Sequence, residues 1–331
     1  MKVAVYDTHR FDREALEFAN NSRHELCFLE MRFTEMTAIL AQGCDAVCLF
    51  VNDRADAGAL KILKDIKVKL ILLRSAGYNH VDIKTALQLE ISVVNVPSYS
   101  PHAVAEFAVG LLLSLNRKIH KAHNRVHDMN FSLEGLVGFD VYGKTVGVIG
   151  TGRIGKNFCQ IMRGFGCRVL AADTYPDRQW ATKNKVSYVD RSVLFSESDI
   201  LSLHTPLTSE TRHIINPSSM ALMKKNIILI NTGRGALIDT HALIKALKAH
   251  LVSGACLDVY EEEGGIFFND LSESGIADDD LARLLTFPNV LVTSHQGFLT
   301  HEALNDIART TIESLTLFEA GGDLNKVIVT I

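Results

Sequence analysis

The apolar, β-branched run Thr145-Val-Gly-Val-Ile149 passes directly into Gly150-Thr-Gly-Arg-Ile-Gly155, and Lys156 to Phe165 follow with a helical pattern. A GxGxxG spacing alone marks little more than a glycine turn. Between a strand and a helix it has the layout of a phosphate cradle. Gly150 permits the tight turn, Gly152 admits a pyrophosphate to the backbone, and Gly155 lets helix and strand pack closely. The helix start offers unpaired amides, to which Arg153, beside Ile154, can add a cation. Asp173 ends the next strand-like run, Arg168 to Ala172, where a carboxylate would accept bonds from the adenosine ribose and repel a 2′-phosphate. Arg178 is the nearest cation that could offset that repulsion. The pattern therefore predicts NAD in preference to NADP.

Three further segments follow later strand-like runs, on the edge at which open α/β sheets bind ligands. Asn231-Thr-Gly-Arg-Gly235 presents Arg234 between glycines, Asp258-Val-Tyr-Glu-Glu-Glu263 carries three carboxylates, and Thr293-Ser-His-Gln-Gly-Phe298 places His295 just past a strand. An arginine, a carboxylate and a histidine beside a nicotinamide suit hydride transfer to a 2-keto acid. The imidazole, with an ordinary pKa of about 6.5, can donate or accept the proton, and a carboxylate would orient it and favour its charged form. The guanidinium would hold the substrate carboxylate and the charge developing on oxygen. Taken singly each residue has a plainer reading: a satisfied strand-end histidine, a loop salt bridge, a solvated acidic run.

Together these segments resemble the D-isomer-specific 2-hydroxyacid dehydrogenases, most closely their fermentative, NAD-dependent D-lactate-type branch. The resemblance spans essentially the whole chain, from Arg74-Ser-Ala-Gly-Tyr-Asn-His-Val-Asp82 to the last helix, and includes Ile266-Phe-Phe-Asn269 and His295-Gln-Gly-Phe-Leu-Thr300. It implies Arg234, Glu263 and His295 as the catalytic residues and leaves Glu261 and Glu262 for the surface. It also implies Ala76, Gly77, Tyr99 and Phe298 as substrate contacts, the first two offering backbone amides between a strand and a helix. His204, Thr205, Pro206, Thr211, Thr232 and Asp258 join the glycine loop and Asp173 as cofactor contacts. The activity implied is NADH-dependent reduction of pyruvate to D-lactate, with bulkier 2-keto acids or an NAD-sensing corepressor role as alternatives. His80 departs from the asparagine common at its position.

The elements that must position these residues follow a strand–helix alternation. The runs Val3 to Tyr6, Leu26 to Leu29, Ala46 to Val51, Leu70 to Leu73 and Val93 to Val96 alternate with helical stretches at 12–20, 34–42, 56–66 and 82–89. Thr34 stands at one predicted helix start and Ser100-Pro101 at another. A long helix is predicted from Pro101 to His127. The second series has strands at Thr145 to Ile149, Arg168 to Ala172, Ile200 to His204, Ile227 to Asn231, Ala255 to Val259 and Val290 to Thr293. A last helix, His301 to Ala320, then leads to a tail at Val327 to Ile331. Strands apolar throughout imply parallel sheets covered on both faces, hence an α/β class with two Rossmann-like domains. The resemblance implies that they are nested. Residues 1–100 and 299–331 would form the substrate domain, 101–298 the NAD domain, with the active site in an interdomain cleft.

Composition agrees with this class. The chain has 331 residues, 47% hydrophobic and 22% charged, which suits about two domains and argues against disorder. With 34 Lys plus Arg against 38 Asp plus Glu, the net charge of -4 argues against a general nucleic-acid partner. No apolar run reaches membrane-spanning length, and six scattered cysteines without CxxC spacing suit reduced thiols in a cytoplasmic protein. The resemblance implies a homodimer or homotetramer, with helix 101–127 as a candidate contact because its apolar positions exceed one narrow stripe. His120, His123 and His127 lie on that helix and are read as a polar face, not a metal site. Cys44 and Cys48 are read as core residues, and Asp278-Asp-Asp280 as a solvated helix entry.

Overall fold

A computed structural model describes residues 1–325 and 327–329, so Thr330 and Ile331 of the expected tail lie outside the described residues. The chain divides into two compact units, Met1–Ser100 with Leu299–Ile331, and Pro101–Phe298.

In the first unit the strands are β1 (Lys2–Val5), β2 (Glu25–Phe28), β3 (Ala46–Leu49), β4 (Leu70–Leu73) and β5 (Ser92–Val94). The helices are α1 (Arg10–Asn20), α2 (Ala57–Asp65) and α3 (Ile83–Gln88). All strand pairs are parallel, in the order β2-β1-β3-β4-β5. β3 and β4 are buried along their full length, as Ala-Val-Cys-Leu and Leu-Ile-Leu-Leu require when both sheet faces are covered. Leu60, Leu63 and Val81 pack on one face, while Leu16, Ala308, Ile312 and Leu315 cover the other. Cys44 and Cys48 are buried among these core residues.

The predicted helix at 34–42 is instead a short 3-10 turn, Ala38–Ala41. Thr34 caps no helix there. Its amide donates to the Thr37 hydroxyl (2.8 Å), which in turn donates to Arg32 O (2.7 Å), so local side-chain bonds compete with helix formation.

In the second unit α4 (Pro101–Arg117) and α5 (Ile119–His127) precede β6 (Thr145–Ile149) and α6 (Arg153–Gly164). Next come β7 (Arg168–Ala172), α7 (Arg178–Asn184), β8 (Val186–Tyr188), α8 (Arg191–Glu197), β9 (Ile200–Leu203) and α9 (Pro217–Ala221). β10 (Ile227–Asn231), α10 (Thr240–Lys248), β11 (Val252–Leu257), α11 (Asp279–Thr286) and β12 (Val290–Val292) complete it. The last helix, α12 (His301–Glu319), returns to the first unit. The sheet order is β12-β11-β10-β9-β6-β7-β8, all parallel. The chain enters at β6, builds outward through β7 and β8, then crosses to β9. The switch point of this doubly wound sheet thus lies between β6 and β9.

One long helix at 101–127 is not what forms. Lys118 adopts a left-handed conformation (φ 51°) that separates α4 from α5. Its ammonium group donates to Gly135 O (2.7 Å) and Val137 O (2.9 Å), folding the glycine-spotted segment back onto the break. The apolar excess of α4 is spent inside the unit, where Ala105, Ala108, Leu111 and Leu112 pack with Phe158 and Met162 of α6. α5 buries none of its residues.

Candidate active site

The sequence of β6 continues into the glycine loop at the switch point. Gly150 has φ 91°, and a Cβ there would collide with the His204 carbonyl at the end of β9. A Cβ on Gly155 would collide with Gly150 O. These two contacts bring the loop against the neighbouring strand and seat α6 over it. Gly152 caps α6 without a side chain, and it, Arg153 and the half-buried Ile154 head the helix, where amide donors face outward. Asp173 Oδ2 accepts from Thr151 N (2.5 Å) and Thr151 Oγ1 (2.9 Å), and its Oδ1 from Tyr175 N (2.8 Å). A carboxylate has about four acceptor sites, so this one is held in place by the loop with roughly one site left for a ribose hydroxyl. Tyr188 OH, 2.6 Å from Thr151 Oγ1, closes the network.

The strands from β9 to β12 lie side by side, and each delivers one expected segment at its C-terminal end. After β9, His204 Nε2 pairs with Ser202 Oγ (2.8 Å), and the ring lies 4.9 Å from that of Phe158. Burial pushes its pKa down to about 3, so the ring is neutral. Thr205 and Pro206 follow, and Thr211 Oγ1 donates to Pro206 O (2.6 Å), which folds that segment on itself. After β10, the buried Asn231 donates to Arg234 O (2.9 Å) and accepts from Gly233 N (3.1 Å), bracing the turn from within. The Arg234 guanidinium, partly exposed, donates to Gly233 O (2.7 Å).

After β11, Asp258 is 1% exposed and faces the turn that follows β12. Its Oδ1 accepts from Thr293 Oγ1 (2.6 Å) and Gln296 N (2.9 Å), and its Oδ2 from Gly297 N (2.8 Å). Burial raises this carboxyl above the usual range, against the opposing effect of those bonds. The same turn holds His295 in a left-handed conformation (φ 55°), with its amide donating to Asp258 O (2.7 Å). That geometry aims the His295 ring at Glu263: Nδ1 to Oε1 is 2.8 Å, with the side chains 14% and 18% exposed. Glu263 Oε2 accepts from Tyr260 N (3.1 Å), so the carboxylate is fixed at both oxygens. With Nδ1 engaged, Nε2 is the nitrogen free to serve a reacting group.

Residues 109–297 match the family model described as D-isomer specific 2-hydroxyacid dehydrogenase, NAD binding domain. The chain is 50% identical over 322 residues to the D-lactate dehydrogenase of Escherichia coli (strain K12), covering 97% of this chain and 98% of that one. The chain belongs to the D-isomer-specific 2-hydroxyacid dehydrogenases. Its fold agrees: the apo-structure of D-lactate dehydrogenase from Escherichia coli aligns with TM-score 0.90 at 47% identity, covering 99% of this chain and 100% of that one. D-lactate dehydrogenase with NAD+ from Lactobacillus jensenii aligns with TM-score 0.82 at 32% identity over the full length of both.

This dehydrogenase is therefore an NAD-dependent oxidoreductase, and the residues at the switch point fit a dinucleotide. The glycine cradle has no room for side chains at Gly150 or Gly155. Thr232, 8% exposed at the end of β10, has a buried hydroxyl with no partner among the described residues, which a bound ligand would satisfy.

In the first unit, Ala76 and Gly77 follow β4 in a loop braced by Ser75 Oγ to Gly77 O (2.7 Å) and Asn95 Nδ2 to Ala76 O (2.7 Å). α3 starts only at Ile83, so their amides are loop amides and not a helix start. Tyr99 is half-buried beyond β5, and Phe298 is buried at the end of the second unit. Sequence reasoning missed Asn231, Tyr260 and Thr293, which brace the turns carrying Arg234, Glu263 and His295. Its one available signal was a polar side chain closing an apolar strand. Glu261 was placed on the surface, yet it is largely buried between Arg212 and His213.

Among the described residues no three His, Cys, Asp or Glu side chains form a metal-binding group. His123 and His127 pair with each other, Nε2 to Nε2 3.1 Å, on the exposed face of α5. No helix of the described residues is long and apolar enough to cross a membrane.

Proposed function

We propose that this dehydrogenase reduces pyruvate to D-lactate with NADH, reversibly, through Arg234, Glu263 and His295. The observation that carries the catalytic assignment is the 2.8 Å bond from His295 Nδ1 to Glu263. It fixes the imidazole and leaves Nε2 to deliver a proton to the substrate carbonyl oxygen, while the adjacent carboxylate stabilises the charged ring. NADH, held by the glycine loop and Asp173, would supply the hydride for the carbonyl carbon. Arg234, released from the Gly233 carbonyl, binds the substrate carboxylate and the oxygen on which charge develops. In lactate oxidation His295 Nε2 accepts the hydroxyl proton instead.

The choice of substrate rests on the relatives named D-lactate dehydrogenase, at up to 50% identity over almost the whole chain. Substrate contacts are assigned to Ala76, Gly77, Tyr99 and Phe298, and the first unit to substrate binding. Dinucleotide contacts are assigned to the glycine loop with Arg153 and Ile154, to Asp173, His204, Thr205, Pro206, Thr211 and Thr232, and to Asp258, whose Oδ2 accepts one protein bond. The six unbridged thiols suit a cytoplasmic enzyme. Self-association is assigned to α5 and the segment after it, where Ile119, Val126, Phe131, Leu133 and Val137 are exposed, and not to the buried face of α4.

The deciding experiment follows NADH absorbance with a panel of 2-keto acids and resolves the product enantiomers. Pyruvate turnover to D-lactate is expected. A preference for branched or aromatic 2-keto acids would reassign the substrate, and no turnover of any would remove the reading.

A further inference from the structure

Glu261 stands two residues before the Glu263 that faces His295, and its side chain is only 13% exposed. Its Oε1 accepts two bonds at once, from Arg212 (2.6 Å) and from His213 Nε2 (2.8 Å). Both donors belong to the segment that follows β9, downstream of His204, Thr205, Pro206 and Thr211. His213 turns left-handed (φ 51°), and its amide donates to Ala236 O (2.8 Å), which ties this segment to the turn after Arg234. That turn is in turn seated on the β11 segment. Gly235 lies so close to Tyr260 that a Cβ would collide with the Tyr260 carbonyl. Tyr260 N then holds Glu263 Oε2.

We propose that Glu261 is a positioning residue that locks the segment after β9, the Arg234 turn and the Glu263 carboxylate into one register. The inference rests on the catalytic reading of Arg234, Glu263 and His295. Two donors, one of them a guanidinium, meet on one carboxylate oxygen, and charge-assisted bonds are about twice as strong as neutral ones, so a glutamine there would keep the shape and weaken both bonds. A shift of about 1 Å between reacting groups can cost roughly a hundredfold in rate, so a partial loosening of this node is felt at the chemistry.

The test compares Glu261→Gln with Glu262→Gln, the exposed neighbour, and with Glu263→Gln, each with NADH and pyruvate. The readouts are the single-turnover rate constant of NADH oxidation, the KM for NADH, and the melting curve. The rate constant does not depend on how much of the sample is active, so a merely structural role would leave it unmoved. Glu261→Gln is expected to slow single turnover about tenfold and to raise the KM for NADH, with Glu262→Gln unchanged. A rate constant and KM within about twofold of wild type, while Glu263→Gln loses activity, would overturn the proposal. Full activity in Glu263→Gln would sink the catalytic reading and the proposal with it. If Glu261→Gln does not fold, the Arg212→Gln/His213→Asn pair leaves Glu261 in place and carries the same two outcomes.

Discussion

In the proposed mechanism the two nitrogens of His295 have different tasks: Nδ1 is committed to Glu263 at 2.8 Å, which leaves Nε2 for the substrate. Substituting His295→Ala should abolish the pH-sensitive step of turnover, and an unchanged pH–rate profile would reject it as the proton donor. Arg234 lends itself to a cleaner separation, since its guanidinium donates to the neighbouring Gly233 carbonyl and holds no other element in place among the described residues. Arg234→Gln is expected to lower pyruvate turnover by about 10²–10³-fold while NADH quenching titrations give the wild-type affinity. Near-normal reduction would refute its role. At this scale the sequence was readable wherever a residue type and its strand-end position coincide, as for Arg234 and His295. Glu261 was not readable, because its partners Arg212 and His213 lie far away in the chain and nothing local marks a buried glutamate within an acidic run.

The elements were legible where both faces of a strand are covered, because such strands are apolar without interruption; β4 and β10 have the predicted bounds. Legibility failed where local geometry outweighs pattern. β8 is a three-residue strand with an exposed centre, Val-Ser-Tyr, too short to show a period. The break at Lys118 is set by a side chain reaching carbonyls on a distant loop, which no helical periodicity records. The turn after β10 that carries Arg234 depends similarly on Asn231, which is buried and spans the turn with two bonds. Asn231→Ala should cost about 1–3 kcal/mol of stability by leaving Gly233 N without its acceptor, since Arg234 O keeps its bond from Leu237 N, and should also lower pyruvate turnover. Urea unfolding together with kcat measures both. A variant as stable and as active as wild type would show that the turn stands without it.

At the scale of the whole molecule, the two units carry opposite acid–base liabilities. Asp53, in the first unit, is buried and accepts from Phe33 N and Phe50 N at 2.6 Å each. Burial pushes its carboxyl from 3.8 up to about 7. The folded state therefore binds the proton more tightly, so this stabilisation is complete below 3.8 and is lost as pH rises towards 7. His204, in the second unit, is pushed from 6.5 down to about 3. Its contribution is complete above 6.5 and is lost as pH falls towards 3. Melting curves between about pH 4 and 7 should therefore change slope in opposite directions in Asp53→Asn and His204→Gln. Slopes identical to wild type in both would refute the two assignments.

The second unit is continuous in sequence, Pro101–Phe298, whereas the first is assembled from both sides of it. During synthesis, which proceeds from the N-terminus, strands β1 to β5 leave the ribosome long before α12. Yet Ala308, Ile312 and Leu315 of α12 complete the core that covers Val3, Val5, Leu70 and Leu72. One face of the earliest sheet must therefore wait, its apolar surface unsealed, while nearly two hundred intervening residues (Pro101–Phe298) are made and folded. The nascent chain thus has a built-in interval of vulnerability, during which a chaperone has a reason to hold it and a premature stop before α12 would yield an insoluble fragment.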